Sequence, residues 1–243
     1  HIQVSTEENL EAARDFPGRF IPFCNVDPRA DTNTAEANLG RMLDYYMREG
    51  CKGLGEITAN IPWDDPRVHN LFAACQSRKL SVTFHIGPQM GGCYGLIDEP
   101  GLPGLERALQ RFPDLIFMGH SQPFWAEIAP DYGDAGRNGY PKGPVRPGGR
   151  LPELFARYPN LCGDLSAGSG YNAVSRDPDF GCQFMETYQD RLFFATDICA
   201  PSDETPLPGY LARMRAEGRL SLQAYEKITW RNANALLNLG LSG

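Results

Sequence analysis

The chain has 243 residues, 42% of them hydrophobic, with 23 Lys and Arg against 30 Asp and Glu and a formal net charge of −7. That length and apolar content suffice for one well-cored domain or two small ones, and a single domain over residues 1–243 is the expectation. The acidic balance excludes non-specific nucleic-acid binding, which needs a basic face, and no run of about 18 apolar residues is present to span a membrane.

Seven Cys, odd in number and without C-x-x-C spacing, are scattered along the chain. They read as reduced thiols and predict a cytoplasmic setting. Cys24, Cys51, Cys162 and Cys199 lie in or near apolar runs, where a reduced Cys packs as a small hydrophobe. Residues 6–14 are charged, so no secretory signal is read there.

Residues 1–6 read as the tail of a βα loop, and residues 6–16 as a helix. Strand candidates then recur at 19–25, 51–57, 80–86, 115–120, 161–166 and 192–197. They are short, rich in Val, Ile, Leu and Phe, and lack polar alternation, which marks strands buried on both faces. Helical spacing fills the intervals. Residues 35–48 carry Leu39, Met42, Leu43 and Tyr46 on one side, and residues 66–79 carry Val68, Leu71, Phe72 and Cys75. Shorter versions occupy 105–112 and 151–158. Phe112-Pro-Asp-Leu115 and Tyr158-Pro-Asn-Leu161 each place Pro just after a helix and Asp or Asn before the next strand, a stop-and-turn signal. Alternation of this kind predicts βα units on a parallel sheet.

Two connections are too long to be simple links. Residues 87–103 are rich in Gly and Pro, and residues 121–150 carry Trp125, Tyr132, Tyr140, Lys142, Arg146 and Arg150. Both leave strand ends and are expected to form lids and substrate walls; an oligomer contact is the alternative for the second. Six βα strands are visible where a closed barrel needs eight. The expected fold is therefore an α/β, TIM-like (β/α)8 barrel whose first two strands precede residue 1. An open doubly wound sheet is the alternative.

His85, His120 and Asp197 each fall at the C-terminal end of a strand candidate, the end that faces the reaction site in parallel α/β folds. A lone His at a strand end is commonly a structural hydrogen-bonding residue. This chain has four His, however, and two occupy equivalent points of successive strands, with an Asp to match. Two imidazoles and a carboxylate on one rim predict a metal or acid–base site. Asp164 and Ser166 end another strand candidate, either touching substrate or bonding the neighbouring loop. Ser166-Ala-Gly-Ser-Gly170 has the composition of a phosphate cradle but lacks Lys and the Walker spacing, so a tight βα turn is the better reading. His69 falls mid-helix and reads as a surface residue.

In chain order, Gly53-Leu-Gly-Glu56, Phe84-His-Ile-Gly87, Met118-Gly-His-Ser121, Gly163-Asp-Leu-Ser166 and Ala195-Thr-Asp197 stand at strand ends. They are followed by Lys227-Ile-Thr-Trp-Arg-Asn-Ala-Asn-Ala-Leu-Leu237. Together with Arg19-Phe-Ile-Pro-Phe-Cys-Asn-Val-Asp-Pro28, this set resembles the amidohydrolase superfamily, in its amidohydrolase-related branch of metal-dependent hydrolases and decarboxylases. The resemblance implies a barrel with one or two divalent metals at its C-terminal mouth. It implies His85 as a metal ligand on the fifth strand and His120 on the sixth, beside a metal-bound water or the substrate. Asp197 on the eighth would touch the metal and take a proton from its water, and Glu56 on the fourth would be a further ligand. The family's H-x-H pair is absent from this sequence; either it precedes His1 with the first strands, or the metal has been lost.

The activity so implied is hydrolysis of a small amide, ester or lactone. Decarboxylation of an aromatic or enol carboxylic acid is the alternative, and a barrel without metal or catalysis is the third. One divalent metal is expected, zinc foremost, with manganese or iron also suited to imidazole and carboxylate. Trp125, Arg146, Asp164 and Ser166 are expected to contact the substrate. Lys142, Arg146 and Arg150 would favour an anionic one, with no nucleic-acid or membrane partner.

Overall fold

The strands pair in parallel wherever their register is defined, Leu54 against Val82 and Gly163 against Leu192. The structure, a computed structural model, describes residues 4–242. The part of the expected loop tail at His1, Ile2 and Gln3 lies outside the described residues. The chain divides into two compact units, one built on residues up to Glu99 and on Pro103–Met118, the other on Pro100–Leu102 and the chain from Gly119 on.

The first unit contains α1 (Thr6–Asp15), α2 (Leu39–Arg48), β1 (Leu54–Ile57), α3 (Pro66–Ser77), β2 (Val82–Gly87), β3 (Leu96–Ile97) and α4 (Pro103–Arg111). Strand β4 (Phe117–His120) begins in it. Local chemistry sets the helix starts. Ser5 and Glu8 close a reciprocal capping box on α1. Asn38 accepts from Arg41 N, so α2 begins at Leu39 and not at the expected residue 35. Asp65 caps α3 with Pro66 in its first turn. Trp63, Phe72, Phe84 and Phe117 are each under 2% exposed and form the aromatic core of this unit. Trp63 meets Phe84 edge-on at 5.0 Å between centroids, and Phe72 meets Phe117 at 5.1 Å. Burying one such ring is worth about 1.5–3 kcal/mol.

Two expectations change in this unit. The run 19–25 lies along β1, with Cys24 N donating to Gly53 O and Gly55 N to Cys24 O, but only the single bridge Cys24–Leu54 forms. It is not buried on both faces, because Phe20 and Ile21 are 56% and 42% exposed, and Pro22 has no N–H to extend the ladder. Within the loop 87–103, β3 adds a short parallel partner to β2, a pair too brief to show periodicity in the sequence.

The second unit takes the end of β4 and continues with α5 (Gln122–Ala126), α6 (Arg150–Arg157), β5 (Leu161–Asp164), α7 (Ala167–Ser175), α8 (Pro178–Thr187), β6 (Leu192–Phe193), α9 (Leu207–Ala216), α10 (Leu222–Glu226) and α11 (Asn232–Leu237). A π-helical turn at Lys227–Arg231 joins α10 to α11. Phe155 packs on Phe184 at 5.4 Å, and Phe124 on Trp125 at 5.1 Å. The segment 121–150 is not a bare loop, because Ser121 caps α5 through Phe124 N and Pro123 lies in its first turn. Ser166 to Gly170 opens α7, so the sequence that could have cradled a phosphate is the start of a helix.

Strand β6 is shorter than expected. Phe194 N donates to Ile228 O, so the chain leaves β5 for the π-helical turn after Phe193. Asp197 therefore lies four residues beyond the strand, and Cys199 is exposed rather than packed as a small hydrophobe. None of the seven cysteines is in a disulfide. Burial pushes the Cys75 and Cys162 thiols up to about 12, which leaves almost no thiolate at neutral pH. A disulfide reagent at pH 8 is thus expected to label Cys199 first and Cys93 more slowly, with Cys75 and Cys162 reacting only after denaturation. Labelling of Cys75 in the native protein would contradict this packing.

Candidate metal and acid–base site

Each unit carries one imidazole whose ring orientation is set by a carboxylate. In the first, Glu56 on β1 and His85 on β2 are brought together by the parallel pairing of the two strands. His85 is 6% exposed, and its Nδ1 donates to Glu56 Oε1 at 2.6 Å. The Tyr94 ring lies 4.2 Å from the His85 ring between centroids. That cover depends on Gly95 at φ +102, where a Cβ would come within 2.7 Å of His85 O and 2.8 Å of His85 Cδ2. The loop 87–103 thus brings Tyr94 against His85.

In the second unit, His120 ends β4 and is 7% exposed. Its Nδ1 lies 3.1 Å from both Asp164 Oδ2 and Ser166 Oγ. Ser166 Oγ donates to Asp164 Oδ2 at 2.8 Å and Ser166 N to Asp164 Oδ1 at 2.8 Å. These roles are mutually consistent: the imidazole N–H donates to serine and carboxylate, while the serine hydroxyl donates to the same carboxylate. Asp197 places Oδ2 3.9 Å from His120 Nε2, with its side chain 47% exposed. The backbone is strained beside these groups. Ser121, Ala167 and Asp197 have φ of 109°, 57° and 56°, positions that non-glycine residues hold only where their surroundings enforce them.

Trp125 on α5 is 2% exposed, and its Nε1 donates to Asp164 O at 2.9 Å. Its indole thus braces the end of β5. Gly163 makes room for it, since a Cβ there would come within 2.8 Å of Trp125 Cη2 and 3.0 Å of Leu192 Cδ2. Gly163→Ala is expected to destabilise the fold by roughly 1–3 kcal/mol, the cost of overpacking, and to shift tryptophan emission. An unchanged melting temperature would show that Trp125 can move at no cost.

Two cationic residues of the long loop have partners of their own. Arg146 is ion-paired with Asp131, and Arg150 binds Gly101 O and Glu153. His69 on α3 meets Arg111 at 3.0 Å. The sequence reading missed Tyr94, whose Gly-rich surroundings carry no signal for it. It also left undecided the Asp164–Ser166 hydrogen bonds, which are fixed by the D-x-S spacing at the end of β5.

Parallel βα architecture with imidazole and carboxylate groups at its strand ends defines the class as an α/β protein with a candidate metal or acid–base site. The family model described as amidohydrolase matches residues 1–239, and the chain belongs to that family, whose members are enzymes. No curated protein matches it in sequence. Among solved structures, it is similar to an uncharacterized TIM-barrel protein from Bordetella bronchiseptica at 20% identity and a TM-score of 0.67, over 97% of this chain and 73% of that one. A candidate 2-pyrone-4,6-dicarboxylic acid hydrolase from Pseudomonas putida matches at 17% identity and 0.61, over 98% and 80%. A 2,6-dihydroxybenzoate decarboxylase matches at 14% and 0.55, over 96% and 75%. At these identities the likenesses establish the TIM-barrel type of fold and leave the reaction open. Among the described residues, no helix is long and apolar enough to cross a membrane.

Proposed function

We propose that the protein is a metal-dependent hydrolase of a small amide, ester or lactone. The observation that carries this reading is the repeated carboxylate–imidazole hydrogen bond, Glu56 to His85 and Asp164 to His120. A ligating His is held by a partner of this kind, which fixes its tautomer and raises its basicity. With Nδ1 donating, the neutral ring keeps its lone pair on Nε2. The candidate donors Glu56, His85 and Asp197 offer nitrogen and oxygen only, a set that suits zinc, manganese or iron.

We assign His85, Glu56 and Asp197 to the cation, as the family resemblance implies. When bound there, a divalent metal supplies Lewis acidity and lowers the pKa of water toward neutrality. Asp197 accepts the proton of the attacking water at a carboxylate oxygen and returns it to the departing amine or alkoxide, so the proton balance closes on one residue. His120, clamped through Nδ1 by Asp164 and Ser166, stands against the scissile carbonyl. Trp125 keeps Asp164 in place, and Arg146 would have to leave Asp131 to take an anionic group on the substrate. The scattered thiols suit a reducing compartment, so we place the protein in the cytoplasm.

The test is a substrate panel run on zinc-loaded and chelator-treated protein. Lactones, esters and amides are followed by acid release, and aromatic carboxylic acids by CO₂ release. Metal-dependent acid release is expected. CO₂ release alone would move the protein to the decarboxylases, and neither product from metal-loaded protein would leave a non-catalytic barrel.

A further inference from the structure

The second unit holds a cavity of about 780 Å³ whose walls include Tyr132, Tyr140, Pro141, Lys142 and Arg176. Among the described residues, none of His120, Asp164, Ser166 and Asp197 lines it, so it is separate from the acid–base groups above. Its size falls within the roughly 300–1,000 Å³ of small-molecule sites and exceeds the needs of an inorganic anion.

Arg176, just after α7, forms part of the wall of this space. Its Nε and Nη2 are buried and meet no acceptor of the protein. The nearby acids are engaged elsewhere. Asp177 accepts from Val145 N at 2.9 Å and from Phe180 N at 3.3 Å, and Asp131 is ion-paired with Arg146. Buried donors on a charged group without acceptors are rare, because desolvation is left uncompensated. Burial pulls the Arg176 pKa below its ordinary value, against the pull of Asp177 and Asp131, yet a guanidinium stays charged at neutral pH. Lys142 adds a second cation beside it, and Arg146, also in the wall, is taken up by Asp131. Asp134 is the remaining acid in the wall, and it is exposed.

The wall is held in shape by bonds that do not involve a ligand. Asn172 Nδ2 donates to Pro141 O at 3.1 Å and Gln122 Nε2 to Tyr140 OH at 3.1 Å. Two phenol rings and a proline offer flat apolar surface beside the two cations. We propose that this cavity is a second binding site, for a planar ring-bearing carboxylate whose carboxylate group sits on Arg176 and Lys142 and whose ring lies against the tyrosines. A charge-assisted hydrogen bond from a guanidinium whose Nε and Nη2 lack acceptors gives Arg176 the larger share.

Calorimetric titration with isophthalate, and with uncharged isophthalamide as control, tests the site. The wild type is expected to bind one isophthalate per chain and the amide at least about tenfold more weakly, since a charge-assisted hydrogen bond carries that much. Arg176→Gln should lose at least about tenfold in isophthalate affinity and Lys142→Gln a smaller factor, while His85→Ala and His120→Ala bind as the wild type does. Lys142→Gln is an exposed loop change and keeps the test decisive should Arg176→Gln fail to fold. The His variants separate this site from the metal reading, which can fail without affecting it. No heat at millimolar isophthalate, equal binding of the amide, or binding lost in His120→Ala but kept in Arg176→Gln would overturn the proposal.

Discussion

Replacing Asp197 by Asn is expected to lower turnover by roughly 10²–10⁴-fold, the range contributed by a positioned proton acceptor, with the fold intact and most metal retained. The substitution is a clean probe for a backbone reason. Asp197 sits at φ 56°, and Asn adopts the left-handed region as readily as Asp, whereas most other residues would add strain. The amide keeps an oxygen for the cation but accepts no proton at neutral pH. With the side chain 47% exposed and four residues beyond β6, little packing depends on it. Melting temperature and metal content are the controls. Full turnover in Asp197→Asn would make the carboxylate a loop feature and remove the proposed base.

His85→Ala should fail in a different way. It removes a proposed ligand, and metal affinity should fall by at least roughly 10–100-fold, a loss that even outer hydrogen-bond partners of a ligand can cause. It should also destabilise the first unit, because Glu56 Oε1 loses its 2.6 Å donor and the Tyr94 ring loses the face it covers. Leaving a partly buried acceptor unpaired costs about 1–3 kcal/mol. Chelation of the wild type should lower its melting temperature and leave that of His85→Ala nearly unchanged, because a ligand that binds only the folded state stabilises it by mass action. Equal metal content in the two proteins would exclude His85 from the site. Asp197→Asn then reports rate without metal loss, and His85→Ala reports metal loss, so the two roles are separable.

The strands that carry the two His were legible because each is a short run rich in Val, Ile, Leu and Phe. Leu80-Ser-Val-Thr-Phe-His85 and Leu115-Ile-Phe-Met-Gly-His120 place β2 and β4 to within two residues at either end. Glu56 entered the sequence reading only as a further ligand implied by the resemblance, and its hydrogen bond to His85 emerges from the parallel pairing of β1 with β2. Other parts could not be read. Leu96 and Ile97 are too short a run to show period two, and α7 begins with Ala-Gly-Ser-Gly, whose weak helix propensity hides a nine-residue helix. The stretch 192–197 is apolar like the others, but the π-helical turn at Ile228 takes the Phe194 N–H away from the sheet, a tertiary competition invisible in the local sequence. Arg176 carries no motif at all, and only the engagement of Asp131 and Asp177 with other partners makes its charge conspicuous.

X-ray absorption at the zinc edge, on wild-type protein loaded to saturation and desalted, addresses the metal claim most directly. One zinc per chain is expected, surrounded by nitrogen and oxygen at about 2.0–2.2 Å with no sulfur scatterer, and with the imidazole signature reduced in His85→Ala. Absence of bound zinc, or a sulfur shell at about 2.3 Å that would place the ion on cysteine, would contradict the assignment of the cation to Glu56, His85 and Asp197.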